Sequence, residues 1–401
     1  MDASMFNPYA PEVMDDPVPT YRQMRETDPV HRNLVGGWTL FRYDDAQTLL
    51  RDPRTSVEDR NATPVPGREW AEQLRSGGSN GSRGILNLDP PDHDRLRRLV
   101  TKAFTPRTVA ALEPLVQCLV DASIDGIERD GGGDVIDDLA FVIPFAVITE
   151  MLGMPAEDAP MVRAWSHALV KTLDPILTEA EIADATASSV AMRAYVTDRI
   201  ADKRARPDDL LLSELIRAED DGDALDEAEL LDQVMLIYIA GHETTVNLIG
   251  NGTLALLRHP SEYARLGAAS DLAQNATEEL LRWDSPVQYS RRIILQPTEI
   301  GGRTVESGDF VLTCLGSANH DPERWGPSVD VLDLGRAGAG AHLSFGNGIH
   351  HCLGAALARL EGRIALGTLA RRLPTLEVAA DPVRNGRIVL RGLDALPVRV
   401  A

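Results

Sequence analysis

The hydrophobic and polar positions change period along the chain, and those changes mark out its elements. Between Pro17 and Val30, Tyr21, Met24 and Arg25 recur at helical spacing, which predicts a short first helix. The run Gly36-Gly37-Trp38-Thr39-Leu40-Phe41-Arg42-Tyr43 then reads as a turn leading into a strand. From about Asp92 to Leu281 helical patterns dominate. They are interrupted at Gly131-Gly132-Gly133, Gly153, Pro207 and His259-Pro260, residues that end helices. Strand character returns from Ser290 to Leu295 and, after a Gly301-Gly302 turn, from Asp309 to Leu315. A last helix is predicted from about Leu353 to Arg372, with short strands around Ile388 to Val400. The expected class is mainly α with a small β-sheet portion near both sequence ends. Ends that pair in space would make one compact unit, so a single domain over residues 1–401 is expected.

One helical pattern is much longer than the others. It opens at Asp226-Glu227-Ala228-Glu229, a capping box with Asp in place of Ser or Thr, and continues to about Leu257. That length corresponds to roughly 48 Å of helix. Its centre, Val234 to Ala240, is almost continuously apolar, and then come Gly241, His242, Glu243, Thr244 and Thr245. A carboxylate in such surroundings is costly unless it is paired, hydrated or used. Gly241 weakens the helix, and the Thr244 hydroxyl can reach the Ala240 carbonyl, a bond that bends helices. Two readings follow: an amphipathic helix with a polar stripe, or a local groove lined by an acid and an alcohol.

Composition narrows the function. Sixty-one acids against forty bases give a net charge of −21, which argues against a nucleic-acid or anionic-membrane partner. Met1 to Glu12 lacks a basic start followed by an apolar run, and no stretch reaches the ~18 apolar residues of a membrane span. A soluble, cytoplasmic monomer is expected. The three cysteines, Cys118, Cys314 and Cys352, are widely separated, with no zinc or dithiol spacing. Cys118 and Cys314 read as small core residues.

Cys352 reads differently. It stands in His342-Leu-Ser-Phe345-Gly346-Asn-Gly348-Ile-His350-His351-Cys352-Leu-Gly354, ahead of a helix with the apolar face Leu353, Leu357, Leu360 and Ile364. The glycines permit positive φ or close approach of a flat ligand. A helix N-terminus stabilises a thiolate. A glycine-rich bend presenting one thiolate to a flat partner suits haem iron, whereas zinc needs three further ligands and only imidazoles stand nearby. The bland alternative is a buried, inert thiol.

This segment resembles the cysteine loop of the cytochrome P450 family, and the resemblance extends over the chain from about Pro17. It implies the triangular, mainly helical P450 fold, haem b with Cys352 on the iron, and the likeness is to soluble, ferredoxin-dependent bacterial members. Ala240-Gly241-x-Glu243-Thr244-Thr245 is similar to the family's oxygen-activation motif. By that resemblance Thr244 hydrogen-bonds the oxygen under activation and Glu243 relays protons from solvent. Glu279-Leu-Leu-Arg282 resembles the family's buried Glu-x-x-Arg pair. For its third partner, Pro322-Glu-Arg324-Trp325 looks early, and the position that aligns instead carries Val331. His320 stands where many relatives carry Arg. His93 and Arg97, one helical turn apart, with Arg292 and His350, match positions that hold the haem propionates. Ala240, Gly241, Phe345, Gly346 and Gly354 complete the expected haem contacts, and His351 and His242 are assigned no direct role.

The expected substrate pocket takes Ile85, Leu86, Ala240, Val287 and Ser290, with Leu169, Leu173 and Ile176. It is largely apolar and implies a lipophilic small molecule. No flavin or nicotinamide fingerprint is present, so a separate ferredoxin is expected as electron donor. Arg95, Arg97, Arg98, Lys102 and Arg107, with Arg359 and Arg363, form the expected basic docking island. The activity implied is monooxygenation by O2. The alternatives are a peroxide-driven peroxygenase and a haem-based gas sensor.

Overall fold

The computed structural model describes residues 6–33, 36–64, 84–220 and 223–401. Of the N-terminal stretch read for a targeting signal, Met1 to Met5 therefore lie outside the described residues. The chain divides into two compact units. One takes Met1–Thr63, Val116–Val142 and Thr244–Ala401, and the other Pro64–Leu115 and Ile143–Glu243.

In the first unit a five-stranded sheet is ordered Val30–Arg32, Trp38–Leu40, Phe310–Cys314, Tyr289–Ile294, Thr55–Ser56. Trp38–Leu40 pairs antiparallel with Val30–Arg32 and parallel with Phe310–Cys314. Phe310–Cys314 in turn pairs antiparallel with Tyr289–Ile294, setting Val311 opposite Arg292 and Thr313 opposite Ser290. β-branched and aromatic residues fit this half-buried surface, and Val30, Trp38, Leu40, Ile294, Val305 and Val311 form its core. A smaller sheet joins Leu376–Val378, Pro397–Val400 and Gly132–Asp134. Here Gly132, at φ 155°, approaches so closely that a Cβ would lie 2.4 Å from the Val398 carbonyl oxygen. The glycine run expected only to break a helix is thus also a sheet edge. Among the described residues the strands near the two ends lie in different sheets, but the ends meet in space: Arg391 donates to the Asp15 carbonyl at 2.6 Å, and Phe6, Tyr9 and Met14 share a cluster with Ile388 and Val389.

The first helix is Val18–Thr27, with Tyr21, Met24 and Arg25 all buried as their spacing predicted. A five-residue helix, Pro11–Asp15, precedes it. Tyr43 does not end a strand but opens the helix Tyr43–Arg51, whose first turn carries Asp44 and Asp45. The helix expected from Leu353 begins at Ala355 and ends at Arg372. It packs with little clearance on Ala273–Trp283 and on the second half of the long helix. A Cβ at Gly362 would lie 2.9 Å from Leu248 and 3.0 Å from Thr277.

The second unit is helical. Its described helices include Asp92–Ala103, Ala159–Val170 and the 27-residue Glu179–Ala205. The long helix spans Glu227–Arg258 and begins in this unit. Its expected capping box is formed in both directions: Asp226 N–H donates to Glu229 Oε2 at 2.9 Å, and Glu229 N–H to Asp226 Oδ1 at 2.8 Å. It ends at the residue before His259-Pro260, where the sequence placed the break. No helix among the described residues is long and apolar enough to cross a membrane.

Candidate active site

Cys352 is exposed in a loop that precedes the helix Ala355–Arg372. Its backbone N–H donates to the Phe345 carbonyl at 2.9 Å, which closes the loop. Gly346 and Gly348 have φ of 69° and 71°. At Gly348 a Cβ would lie 2.4 Å from the Leu50 carbonyl oxygen, whereas at Gly346 the nearest atom is 3.9 Å away. Gly348 is therefore required by close packing as well as by conformation, and Gly346 by conformation alone. Gly354 directly precedes the helix, with nothing within 4 Å of a built Cβ.

The flanks of this loop are fixed by ion pairs. The Arg359 guanidinium lies 4.5 Å from the centre of the Phe345 ring and its Nε donates to Glu278 Oε1 at 2.6 Å. His342 Nδ1 accepts the Ser344 N–H at 3.1 Å, so its Nε2 carries the proton that reaches Glu278 Oε2 at 3.0 Å. Burial alone would raise Glu278, but the hydrogen bonds from His342 and Arg359 outweigh it and hold the carboxyl at about 2. Burial keeps His342 below the ordinary imidazole value, in keeping with a neutral donor.

Behind the loop, Glu279 and Arg282 are fully buried and paired through Nε–Oε2 at 2.7 Å and a second bond of 2.8 Å to Oε1. The third partner is Arg336, whose Nε lies 3.0 and 3.1 Å from the two Glu279 oxygens. Neither sequence candidate supplies it. Arg324 stacks 5.0 Å from the Trp325 ring centre, and Val331 offers only its carbonyl, which accepts from Arg336 at 2.7 Å. Arg282 also donates to the Asn319 carbonyl at 2.8 Å. The Asn319 side chain bonds Ser344 Oγ at 2.9 Å and accepts the Leu343 N–H at 2.8 Å. An unbroken polar chain thus runs from the ion cluster to the residues preceding Phe345. His320 spans to the Trp283 carbonyl at 2.8 Å.

The other cysteines differ. Cys314 is buried on its strand, and burial pushes its thiol up to about 12. Cys118, expected in the core, is exposed on the helix Glu113–Asp130, whose buried face is Val116, Val120, Ile124 and Ile127.

Of the expected propionate donors, Arg292 and His350 belong to the first unit and His93 and Arg97 to the second. Arg292 is buried on Tyr289–Ile294, with one guanidinium nitrogen bonded to the Arg291 carbonyl at 2.7 Å. His350 ends the short turn Gly348–His350. His93 and Arg97 share the helix Asp92–Ala103; His93 is buried, its Nδ1 2.9 Å from Asp94 Oδ1.

The long helix passes without interruption through Ala240–Thr245. Tyr238, His242 and Thr245 are buried, but Ala240 is exposed and Gly241, Glu243 and Thr244 are half-buried. His242 Nδ1 lies 2.9 Å from the Tyr238 carbonyl, and burial holds its pKa below the ordinary imidazole value. Thr245, named in the motif without a role of its own, is buried, and Glu361, which the sequence did not single out, is a buried carboxyl pushed up to about 8 by burial.

Among the expected pocket residues, Ile85 is buried while Leu86 and Leu173 are exposed. Val287 forms an isolated bridge with Leu390 and packs on the Tyr43–Leu315 core, so part of its role is structural. The Ser290 carbonyl accepts from Thr313 Oγ1 at 3.0 Å. Arg95 drops out of the basic island: it pairs with Asp223 at 3.2 Å and with Glu229. Arg98 and Lys102 remain exposed.

Residues 165–384 match the cytochrome P450 family model. Cytochrome P450 107B1 of Saccharopolyspora erythraea is 41% identical to this chain over 94% of both. The chain belongs to the cytochrome P450 family. The vitamin D(3) 25-hydroxylase of Pseudonocardia autotrophica is 40% identical, covering 96% of this chain and 93% of its own. The solved structure of the Bacillus subtilis 168 bacillaene polyketide synthase P450 PksS aligns with a TM-score of 0.90 at 35% identity, over 99% of this chain and all of that one. The fold is the P450 fold, and the chain is a haem-thiolate monooxygenase. The residues present fit such a group: an exposed cysteine in a loop bent by two left-handed glycines, and a buried arginine on the neighbouring sheet.

Proposed function

We propose that Cys352 is the thiolate ligand of haem b, and that the enzyme inserts one atom of O2 into a lipophilic small molecule, by hydroxylation or epoxidation. The observation that carries this is the setting of Cys352. It is the exposed cysteine that lies outside regular structure, in a glycine-bent loop at the mouth of a helix. When bound, haem supplies the electron-transfer and oxygen-activating chemistry that thiolate donation favours.

The chain's own residues do the rest. Arg292, His350, His93 and Arg97 hold the two propionates, and Phe345, Gly346, Gly354, Ala240 and Gly241 give the ring room. Glu243 takes protons from solvent and passes them to the Thr244 hydroxyl, an acid–alcohol pair on a half-buried stretch of the long helix. Ile85, Leu86, Leu173, Val287 and Ser290 contribute to a mostly apolar substrate pocket. Relatives named for vitamin D(3) and for polyketide synthesis support a lipophilic substrate.

Electrons come from a separate acidic ferredoxin. Arg97, Arg98, Lys102 and Arg359 are its docking bases. The protein acts as a cytoplasmic monomer.

The test is reconstitution with a ferredoxin, its reductase and reduced nicotinamide under labelled O2, after a lipophilic library has been screened by Soret shift. Product carrying one labelled oxygen is expected. Turnover with hydrogen peroxide alone, undiminished in Glu243→Ala, would instead establish the peroxygenase.

A further inference from the structure

One turn near the start of the long helix, residues 229–233, carries three buried polar side chains, Glu229, Asp232 and Gln233. At spacings of three and four residues they share one helical face. Groups of this kind stay buried only when they are bonded, and each of these reaches a different segment. Glu229 gives one carboxylate oxygen to the helix cap and the other to Arg95 on Asp92–Ala103. Asp232 accepts from Arg193 of Glu179–Ala205 at 2.6 Å. Gln233 Oε1 accepts the Ile85 N–H at 3.4 Å.

Ile85 opens the short turn Ile85–Asn87, which the Asn87 N–H closes on the Gly84 carbonyl at 2.9 Å. Ile85 is buried and Leu86 exposed, so Ile85 is the inward member of this turn. The stretch from Ile85 to Arg97 is thereby moored to the long helix at two points, through Gln233 and through Glu229. All of these residues belong to the second unit. The two moorings differ in strength. Arg95 is held by a charge-assisted bond to Glu229, whereas the bond to Ile85 is longer than an ordinary N–H···O bond. The helix that carries His93 and Arg97 is therefore fixed independently of the turn at Ile85.

We propose that Gln233 is a specificity-determining positioning residue: by holding the Ile85 backbone it sets how much bulk the substrate pocket admits. This rests on the place of Ile85 in the pocket proposed above. Without the Gln233 oxygen the buried Ile85 N–H loses this acceptor, and leaving such a donor unsatisfied is costly. The turn then shifts to find another partner, and the Ile85 wall gives way to larger ligands. Arg95 still moors the following helix, so the bases on it keep their place. Glu243 and Thr244 lie about 15 Å further along the long helix and are not disturbed. Selection by size is lost while the haem site stays intact.

Amide hydrogen exchange of the full-length holoenzyme, followed by mass spectrometry, tests the mooring. In Gln233→Met, which keeps the size and removes the acceptor, the peptide around residues 84–88 should exchange severalfold faster, with Asp92–Ala103 unchanged. Gln233→Glu, which keeps an acceptor, should restore the native protection. Equal exchange in native and Gln233→Met protein overturns the proposal. Selection is read with two iron-ligating probes of different bulk, imidazole and 1-tritylimidazole, each titrated by Soret shift. Gln233→Met should bind the trityl compound severalfold more tightly than the native enzyme does and imidazole equally well, with an unchanged carbonyl spectrum. An unchanged ratio of the two affinities overturns the specificity role even where exchange is faster. If neither probe shifts the Soret band of the native enzyme, the pocket reading fails, while exchange still reports on Gln233 and Ile85.

Discussion

The ion cluster behind the cysteine loop gives the sharpest stability prediction. Glu279 is fully buried and accepts from Arg282 at 2.7 and 2.8 Å, from Arg336 at 3.0 Å, and from the Asp333 N–H at 3.2 Å. Replacing Arg282 with Met removes two of these bonds and the one to Asn319 at 2.8 Å that steadies Ser344 and the loop. Breaking a buried pair from one side costs about 3–5 kcal/mol, because the partner charge stays behind. Arg336→Met leaves Arg282 to neutralise the carboxylate, so its cost is smaller, about 2–3 kcal/mol, near that of one or two charged hydrogen bonds. With total stabilities of about 5–15 kcal/mol, either change is large.

In the double variant Glu279 is stranded. Adding Glu279→Leu to it should then recover stability, since a buried cluster replaced as a whole by apolar residues is often neutral or better. Urea unfolding of the holoprotein at fixed excess haem, followed by circular dichroism, measures all four variants on one scale. The reasoning fails if Arg282→Met costs under about 1 kcal/mol, or if the added Leu destabilises further.

Glu243→Gln and Thr244→Ala should each lower product formation by about 10²-fold with a much smaller effect on reductant consumption, the lost electrons appearing as hydrogen peroxide. Equal loss of both would show that these residues serve binding or folding. Glu361 makes stability depend on pH: its carboxyl, raised from 4.5 to about 8, binds its proton more tightly when folded, so stability should fall as pH rises between these values and level off above. Unfolding titrations should show a contribution of about 1.4 kcal/mol per pH unit that is missing in Glu361→Gln. Asp226→Ala should cost about 1 kcal/mol through the lost cap of the long helix, read by the same denaturation.

Local features were legible and long-range ones were not. The cap at Asp226, the stop at His259-Pro260 and the buried face Tyr21, Met24 and Arg25 follow from spacing alone, and the structure has each in place. Gly346 and Gly348 announced their left-handed turns for the same reason. Arg336 was missed because its partner Glu279 lies 57 positions away, and nothing local separates it from any surface arginine. Arg95 was assigned to an open basic island because Asp223 and Glu229, which neutralise it, lie on distant segments.

Three further misses did carry a readable signal. Cys118 falls outside the face formed by Val116, Val120, Ile124 and Ile127, so helical spacing already placed it outside. Glu361 interrupts the apolar face of Leu357, Leu360 and Ile364, and an acid at such a position marks a special environment. Tyr43 was read into a strand although Asp44 and Asp45 behind it form the acidic first turn of a helix.

The sulfur–iron bond is best examined by optical spectroscopy of the purified pigment. Cys352→Ser, compared with Cys118→Ser as control, should keep the fold while its reduced, carbon monoxide-bound form loses the red-shifted Soret band of a thiolate-ligated haem. The same band at full intensity in Cys352→Ser would mean that another residue holds the iron, and the assignment of this loop would be wrong.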